Sequence, residues 1–314
     1  MAVMDRSMFS LLGIFFLIVF AIESIVSLLG NGFIIVMNGY SWLQRQKMLP
    51  CDFLLTTLSL SRFLWQWITT SSRFVYVGSP ETYIHSKKEQ AFTFCWIYLN
   101  MISLWCATWL NVFYCVKVTN FAHPLFAWLK LRIGVLVPRC LGISLLAFIT
   151  CSIYPVVRAL EDEKCRTLTG NLPENTSQSE AHDHYPCKFL ISLQFYFTVI
   201  SFSICLTAST VLLLSLWRHT RNLRKSGLSS KDLSTQAHLS VMKPLLLLLI
   251  FYILHFAAMI LGLSGVFKYG KLERLISDIF LSSYPSAHAV ILIFTNPKLR
   301  KVCTHVLNLR RSTS

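Results

Sequence analysis

The fold class predicted by this sequence is an all-α membrane protein, a bundle of seven transmembrane helices with its N-terminus extracellular and its C-terminus cytoplasmic. Three observations predict it. Of the 314 residues, 54% are apolar and only 14% are charged, where a soluble domain carries about 25% charged residues; the mean hydropathy is +0.56. Seven stretches reach the roughly 20 apolar residues that about 30 Å of hydrocarbon requires. The basic residues fall on alternate sides of those stretches. Together these exclude a disordered chain, a collagen-like repeat and a water-soluble globule.

The expected spans cover 9–38, 51–73, 91–116, 133–157, 188–217, 241–266 and 275–296. The first is too long for the 7–15-residue apolar region of a signal peptide, and reads as an uncleaved anchor. Between the spans lie two longer connections, an extracellular loop at 158–187 and a cytoplasmic loop at 218–240, and a short cytoplasmic tail occupies 297–314. No repeat or appended soluble domain is visible, so residues 1–314 read as one unit.

Orientation follows from Lys and Arg. Counting Arg139, the side of the loops near 39–50, 117–132 and 218–243 and of the tail holds 17 basic residues and two acids. The other side holds 11 of each, and only Glu23 and Arg62 are left inside the membrane. Such asymmetry is the positive-inside signal. The net charge of +15 is therefore a topology device facing the lipid bilayer, and no nucleic-acid partner is expected. Asn175-Thr176-Ser177 is an N-glycosylation acceptor in the loop placed outside. Cys165 and Cys187 share that loop, where oxidation is possible; a bond between them stays open.

Charges inside a span are costly, so they pair or line a cavity. Glu23 lies about 14 residues, roughly 20 Å, into span 1, and Arg62 about 11 residues, roughly 16 Å, into span 2 from the same side. They are expected to face each other, with Asn31 one to two turns deeper, as either a structural clamp or a switch. Asp278, in the first turn of span 7, can meet a ligand's donor groups or sit solvated at the interface. Trp96 and Asn100 stand four apart on one face of span 3, a stacking surface beside an amide suited to a small organic ligand.

Other chemistry fails. His182-Asp183-His184 lacks a second pair of metal ligands, and no phosphate-binding loop, His-Glu-x-x-His pair or serine elbow occurs. No metal, cofactor or enzymatic activity is expected.

Local strings narrow the class. Span 1 carries Gly30-Asn31-Gly32-Phe33-Ile34, span 2 LLTTLSLSRF (54–63), span 3 LWCATWLNVFYCVKVTNFAHPLFAWLK (104–130), span 5 LLLSLWRHTR (212–221) and span 7 YPSAHAVILIFTNPKLRK (284–301). Over essentially the whole chain these resemble the bitter taste receptors, taste receptor type 2. Rhodopsin-like receptors differ: their acidic-Arg-aromatic triplet is replaced here by Phe113-Tyr114-Cys115-Val116-Lys117, and Arg62 stands where they have an acid. The chain departs from the resembled pattern after His238, where Leu239-Ser240-Val241-Met242-Lys243-Pro244 replaces a run that usually ends in Ser or Thr, and at His288-Ala289, where His-Ser is common.

The resemblance implies a plasma-membrane receptor for bitter small molecules that activates a gustducin-type heterotrimeric G protein, leading to phospholipase C and calcium release. It implies a ligand pocket of Trp96, Asn100, His255 and Asp278. A histidine titrates between pH 5 and 8, so His255 is expected to make the response pH-sensitive. Lys117, His123, Lys130, Arg218, His219, Arg221, Arg224 and His238 form a basic inner rim, part topology signal and part G-protein contact. Glu23, Asn31, Arg62, Tyr284 and His288 are the structural or switch residues. The alternatives are another heptahelical chemosensory receptor of the pheromone type, or a membrane transporter, which would show repeats and several intramembrane charges.

Overall fold

The computed structural model describes residues 2–46, 48–79, 87–119, 124–168, 185–225, 233–263 and 272–312. They form eight helices: α1 (Ala2–Arg45), α2 (Pro50–Gly78), α3 (Lys87–Val118), α4 (Pro124–Leu168), α5 (Tyr185–Lys225), α6 (Leu233–Leu263), α7 (Leu272–Thr295) and α8 (Pro297–Ser312). No strand occurs among the described residues. We call the end of the bundle holding the start of α1 the upper end, and the other the lower.

Each of the seven expected spans lies within or nearly within one helix, and most helices overrun the expected span by a turn or more. Hydrogen-bonded helix does not stop at the edge of hydrocarbon, so an apolar window marks the membrane crossing and not the element. Two expected connections shrink accordingly: α4 continues to Leu168 and α5 to Lys225. The expected tail is itself a helix, α8, which Asn296 starts by accepting from the Lys298 and Leu299 amides at 3.0 and 3.4 Å, as an N-cap does.

Six of the described helices are long and apolar enough to cross a membrane. α2, 29 residues long, is the one expected span whose composition falls short, because Ser59, Ser61, Arg62 and Gln66 lie on it. All four are buried against neighbouring helices, so its polarity is spent inward and its length still matches the others.

α3 packs against α2, α4 and α5, and the ring closes through α5–α6, α6–α7, α7–α1 and α1–α2. Accordingly 56% of α3's apolar window and 50% of α7's is buried, against 17–28% for α1, α4, α5 and α6. The outward faces carry large apolar side chains such as Leu11, Phe15, Ile22, Leu131, Ile143 and Leu246, a belt that only lipid covers favourably. Between helices the lipid gives no hydrophobic drive, so small residues and polar bridges set the contacts. A Cβ built on Gly30 of α1 would stand 3.0 Å from the Ala289 Cβ of α7. Tyr98 and Ser152 pair at 2.7 Å across α3–α4, and the Thr108 and Ser201 hydroxyls pair at 2.7 Å across α3–α5.

Pro244 lies well inside α6, not in its first turn, and so withholds an amide from the carbonyl four residues earlier. Pro285 does the same inside α7.

Candidate functional site

The polar interior of the bundle centres on α7. Arg62 is 1% exposed; its Nε donates to Ser103 Oγ at 3.2 Å, and its guanidinium lies 4.7 Å from the centre of the Tyr284 ring. Its two Nη atoms have no hydrogen-bond partner, nor has the Trp65 indole Nε1. Glu23, expected to face Arg62, does not pair with it: the Ser282 hydroxyl donates to Glu23 Oε2 at 2.6 Å. The Ser286 hydroxyl donates to the Glu23 carbonyl at 3.1 Å. Equal depth puts two side chains on one level but leaves their direction around the helix axis free. Here both turn to α7, at positions two residues apart, and α2's contact with α1 is made instead by Gln66, whose Nε2 donates to Ser24 Oγ at 2.7 Å. Asn31 is buried and donates back to the Ser27 carbonyl of its own helix at 2.8 Å.

His255 of α6 is buried, and its Nδ1 stands 2.8 Å from the Leu281 carbonyl of α7. A carbonyl only accepts, so Nδ1 carries the hydrogen. Leu281 is four residues before Pro285, so this is the carbonyl that the proline cannot serve. Rings continue from there: Tyr284 lies 5.5 Å from His255, 5.8 Å from His288 and 5.1 Å from Tyr252, which stacks on Phe202 of α5 at 5.5 Å.

Two of the four expected ligand residues share a cavity. Asn100 and His255 line a space of about 10 Å³ together with Arg62, Trp65, Ser103 and Tyr284. A volume of that order holds about one water-sized occupant, far below the ~300 Å³ of an ordinary organic-ligand pocket, so in this arrangement the site is closed. Asn100 Nδ2 reaches Met259 Sδ at 3.4 Å. Trp96 is half-buried beside the cavity wall, its ring 6.4 Å from that of Trp65. Asp278 stands apart from this group: it is buried and ion-paired with Arg73 of α2, whose guanidinium also lies 4.8 Å from the Phe20 ring of α1. The carboxylate expected to greet a ligand is thus held by a neighbouring helix.

A second, larger cavity of about 350 Å³ opens at the lower end between α3, α5, α6 and α7. Asn111, Tyr114, Leu216, Pro244, Tyr252 and Asn296 are among its lining residues, and Ala107 and Tyr284 line both cavities. Of the expected rim, Lys117, Arg218 and Arg221 are exposed and Lys130 is half-buried. Lys117 neighbours Val118 and Arg218 follows Leu216 by two, so these charges stand beside the cavity's apolar walls. Arg221 lies 5.5 Å over the Trp217 ring. His123, Asn175 and the side chains of His219, Arg224, His238, Cys165 and Cys187 lie outside the described residues. From the cavity wall, Tyr114 OH lies 3.2 Å from Cys51 Sγ of α2, and Asp52 is 3.9 Å from Lys298 of α8.

Sequence reading missed Arg73, Trp65 and the freeing of the Leu281 carbonyl by Pro285. For the last a signal existed, since a proline within a span always frees the carbonyl four residues back. For Trp65 and Arg73 none did.

The family profile described as Taste receptor protein (TAS2R) matches residues 8–311. This chain belongs to the taste receptor type 2 family. The TAS2R chain is 33% identical over 293 residues to taste receptor type 2 member 7 of Mus musculus, covering 91% of each. It is 33% identical over 300 residues to member 41 of Pan paniscus, covering 95% of this chain and 96% of that one, and 32% identical to member 7 of Rattus norvegicus, covering 91% of each. Membership makes the bundle a seven-span G protein-coupled receptor of the bitter-taste class, and not an enzyme. α2 is its remaining span.

Proposed function

We propose that this TAS2R receptor sits in the plasma membrane with its upper end extracellular, binds bitter small molecules in the upper half of the bundle, and activates a gustducin-type heterotrimeric G protein. Phospholipase C activation and calcium release follow from that coupling. One observation carries the reading: Tyr284 and Ala107 belong to the walls of both the closed upper cavity and the open lower one. A ligand that widens the space beside Asn100 and His255 must move the ring of Tyr284, and the lower cavity changes with it. An agonist acts by binding that wider arrangement better, since equal affinity for both would shift nothing.

The lower cavity is the place for the G protein's terminal helix. Coupling has α5 and α6 part to admit that helix, and Pro244, in the cavity wall, weakens α6 where it bends. The lysines and arginines of the rim suit an acidic partner. The upper pocket is formed by Asn100 and His255 with Trp96 at its mouth; Asp278 enters only once Arg73 releases it. Orientation rests on the basic lower end and on Asn175 as a glycan acceptor.

The test is calcium release in cells carrying a gustducin-type chimera, challenged with a panel of bitter compounds. Asn100→Ala and Trp96→Ala are expected to weaken responses at unchanged surface staining. Full responses in both variants would place the pocket elsewhere; no response to any compound, in a receptor that reaches the surface, would remove the reading.

A further inference from the structure

We infer that Arg62, Trp65 and Ser103 form a binding site for a small monovalent anion of the halide class, chloride under physiological conditions. The guanidinium is fully buried midway along a span; neither Nη atom meets hydrogen-bond geometry with any protein atom, and the Tyr284 side chain is its polar aromatic neighbour across the cavity. Trp65, 3% exposed, adds an unpartnered indole Nε1–H. Both side chains line the same cavity of about 10 Å³. Ser103 Oγ accepts from Arg62 Nε, which leaves its own hydrogen to donate.

The fully buried, unpaired polar atoms of these lining residues are all donors, and no lining residue is acidic; His255 Nε2 and the Asn100 amide oxygen are the acceptors that share the cavity. The acid nearest in depth, Glu23, is bonded by Ser282. The Tyr284 face offers the guanidinium partial compensation, but an uncompensated charge within a bilayer is costly. A water molecule would accept from the donors and leave the charge standing. A carboxylate brings three heavy atoms and a body that an enclosed, water-sized space does not hold. A monatomic anion meets charge, donors and size together. It would bridge α2 and α3 beneath α7, and so favour the closed upper cavity. None of this depends on which ligand the receptor senses.

The experiment is thermal unfolding of the purified full-length receptor in neutral-lipid nanodiscs, with sodium chloride exchanged for sodium gluconate at constant ionic strength. A saturable rise in melting temperature with chloride is expected. Trp65→Phe keeps the ring and removes one donor to an anion, so the half-saturating chloride concentration should rise roughly tenfold. Arg62→Gln should abolish the dependence. Should Arg62→Gln not fold, the Trp65→Phe shift decides alone. Identical melting in chloride and gluconate overturns the site, as does a chloride effect that Trp65→Phe leaves unchanged.

Discussion

His255 of α6 and Leu281 of α7 are joined by an Nδ1–H to carbonyl hydrogen bond of 2.8 Å, made to the one backbone oxygen that Pro285 cannot serve. The bond and the proline form a unit, and a double-mutant cycle should expose it. His255→Phe keeps a ring but leaves a buried carbonyl unpaired, a loss of about 1–3 kcal/mol. Pro285→Ala restores an amide to that carbonyl. In the Pro285→Ala background, His255→Phe should therefore cost clearly less in melting temperature than it does alone. Additive losses would mean that the histidine and the proline act separately.

Asp278 and Arg73 tie the upper ends of α7 and α2. Were Asp278 a free ligand contact, Asp278→Ala would lower agonist potency and leave surface expression and Arg73 variants out of the matter. The ion pair predicts otherwise. Asp278→Ala and Arg73→Ala should each lower stability by about 1.5–3 kcal/mol, and the exchanged pair Arg73→Asp with Asp278→Arg should recover part of it. Melting temperatures of the three variants decide, with agonist dose–response curves run alongside.

The architecture was legible because the bilayer imposes it: a helix that must cross hydrocarbon shows its length and its apolar composition in the sequence. Loop lengths were not, because α4 and α5 run on past their apolar windows. The rotation of each helix was not. Glu23 and Arg62 were expected to face each other, yet Glu23 bonds Ser282 and Arg62 lies over Tyr284, because azimuth is set by packing of all seven helices at once. Of the candidate pocket, Asn100 and His255 meet at one cavity, since both fall on inward faces at the same level. Asp278 was read alone because nothing in sequence spacing links residue 73 to residue 278. α8 was hidden by its composition, which is polar enough to read as a tail.

Gly30 and Ala289 set the distance between α1 and α7. The 3.0 Å separation between an added Cβ and the Ala289 Cβ is too short for two methyl groups without a shift of the helices. Gly30→Val should then cost about 1–3 kcal/mol through overpacking, and Ala289→Gly, which removes the opposing atom, should relieve much of it. The comparison is of melting temperatures between Gly30→Val and the double variant. Equal losses in the two would show that α1 clashes with something other than Ala289.

Ser209 on α5 lines the lower cavity without belonging to the upper one, so it separates sensing from coupling. Ser209→Trp places a large rigid ring where the G protein's helix is proposed to enter, while leaving Asn100, His255 and Tyr284 in place. The expected outcome is agonist affinity within about threefold of the parent receptor and a G-protein response reduced at least about tenfold, the coupling being a difference in affinity between two arrangements. Ser209→Ala, which only trims the side chain, should behave as the parent. Radioligand binding and nucleotide exchange on the same membranes read the two quantities separately. If Ser209→Trp couples normally, the helix enters elsewhere, and the shared wall at Tyr284 no longer links the two ends of the bundle.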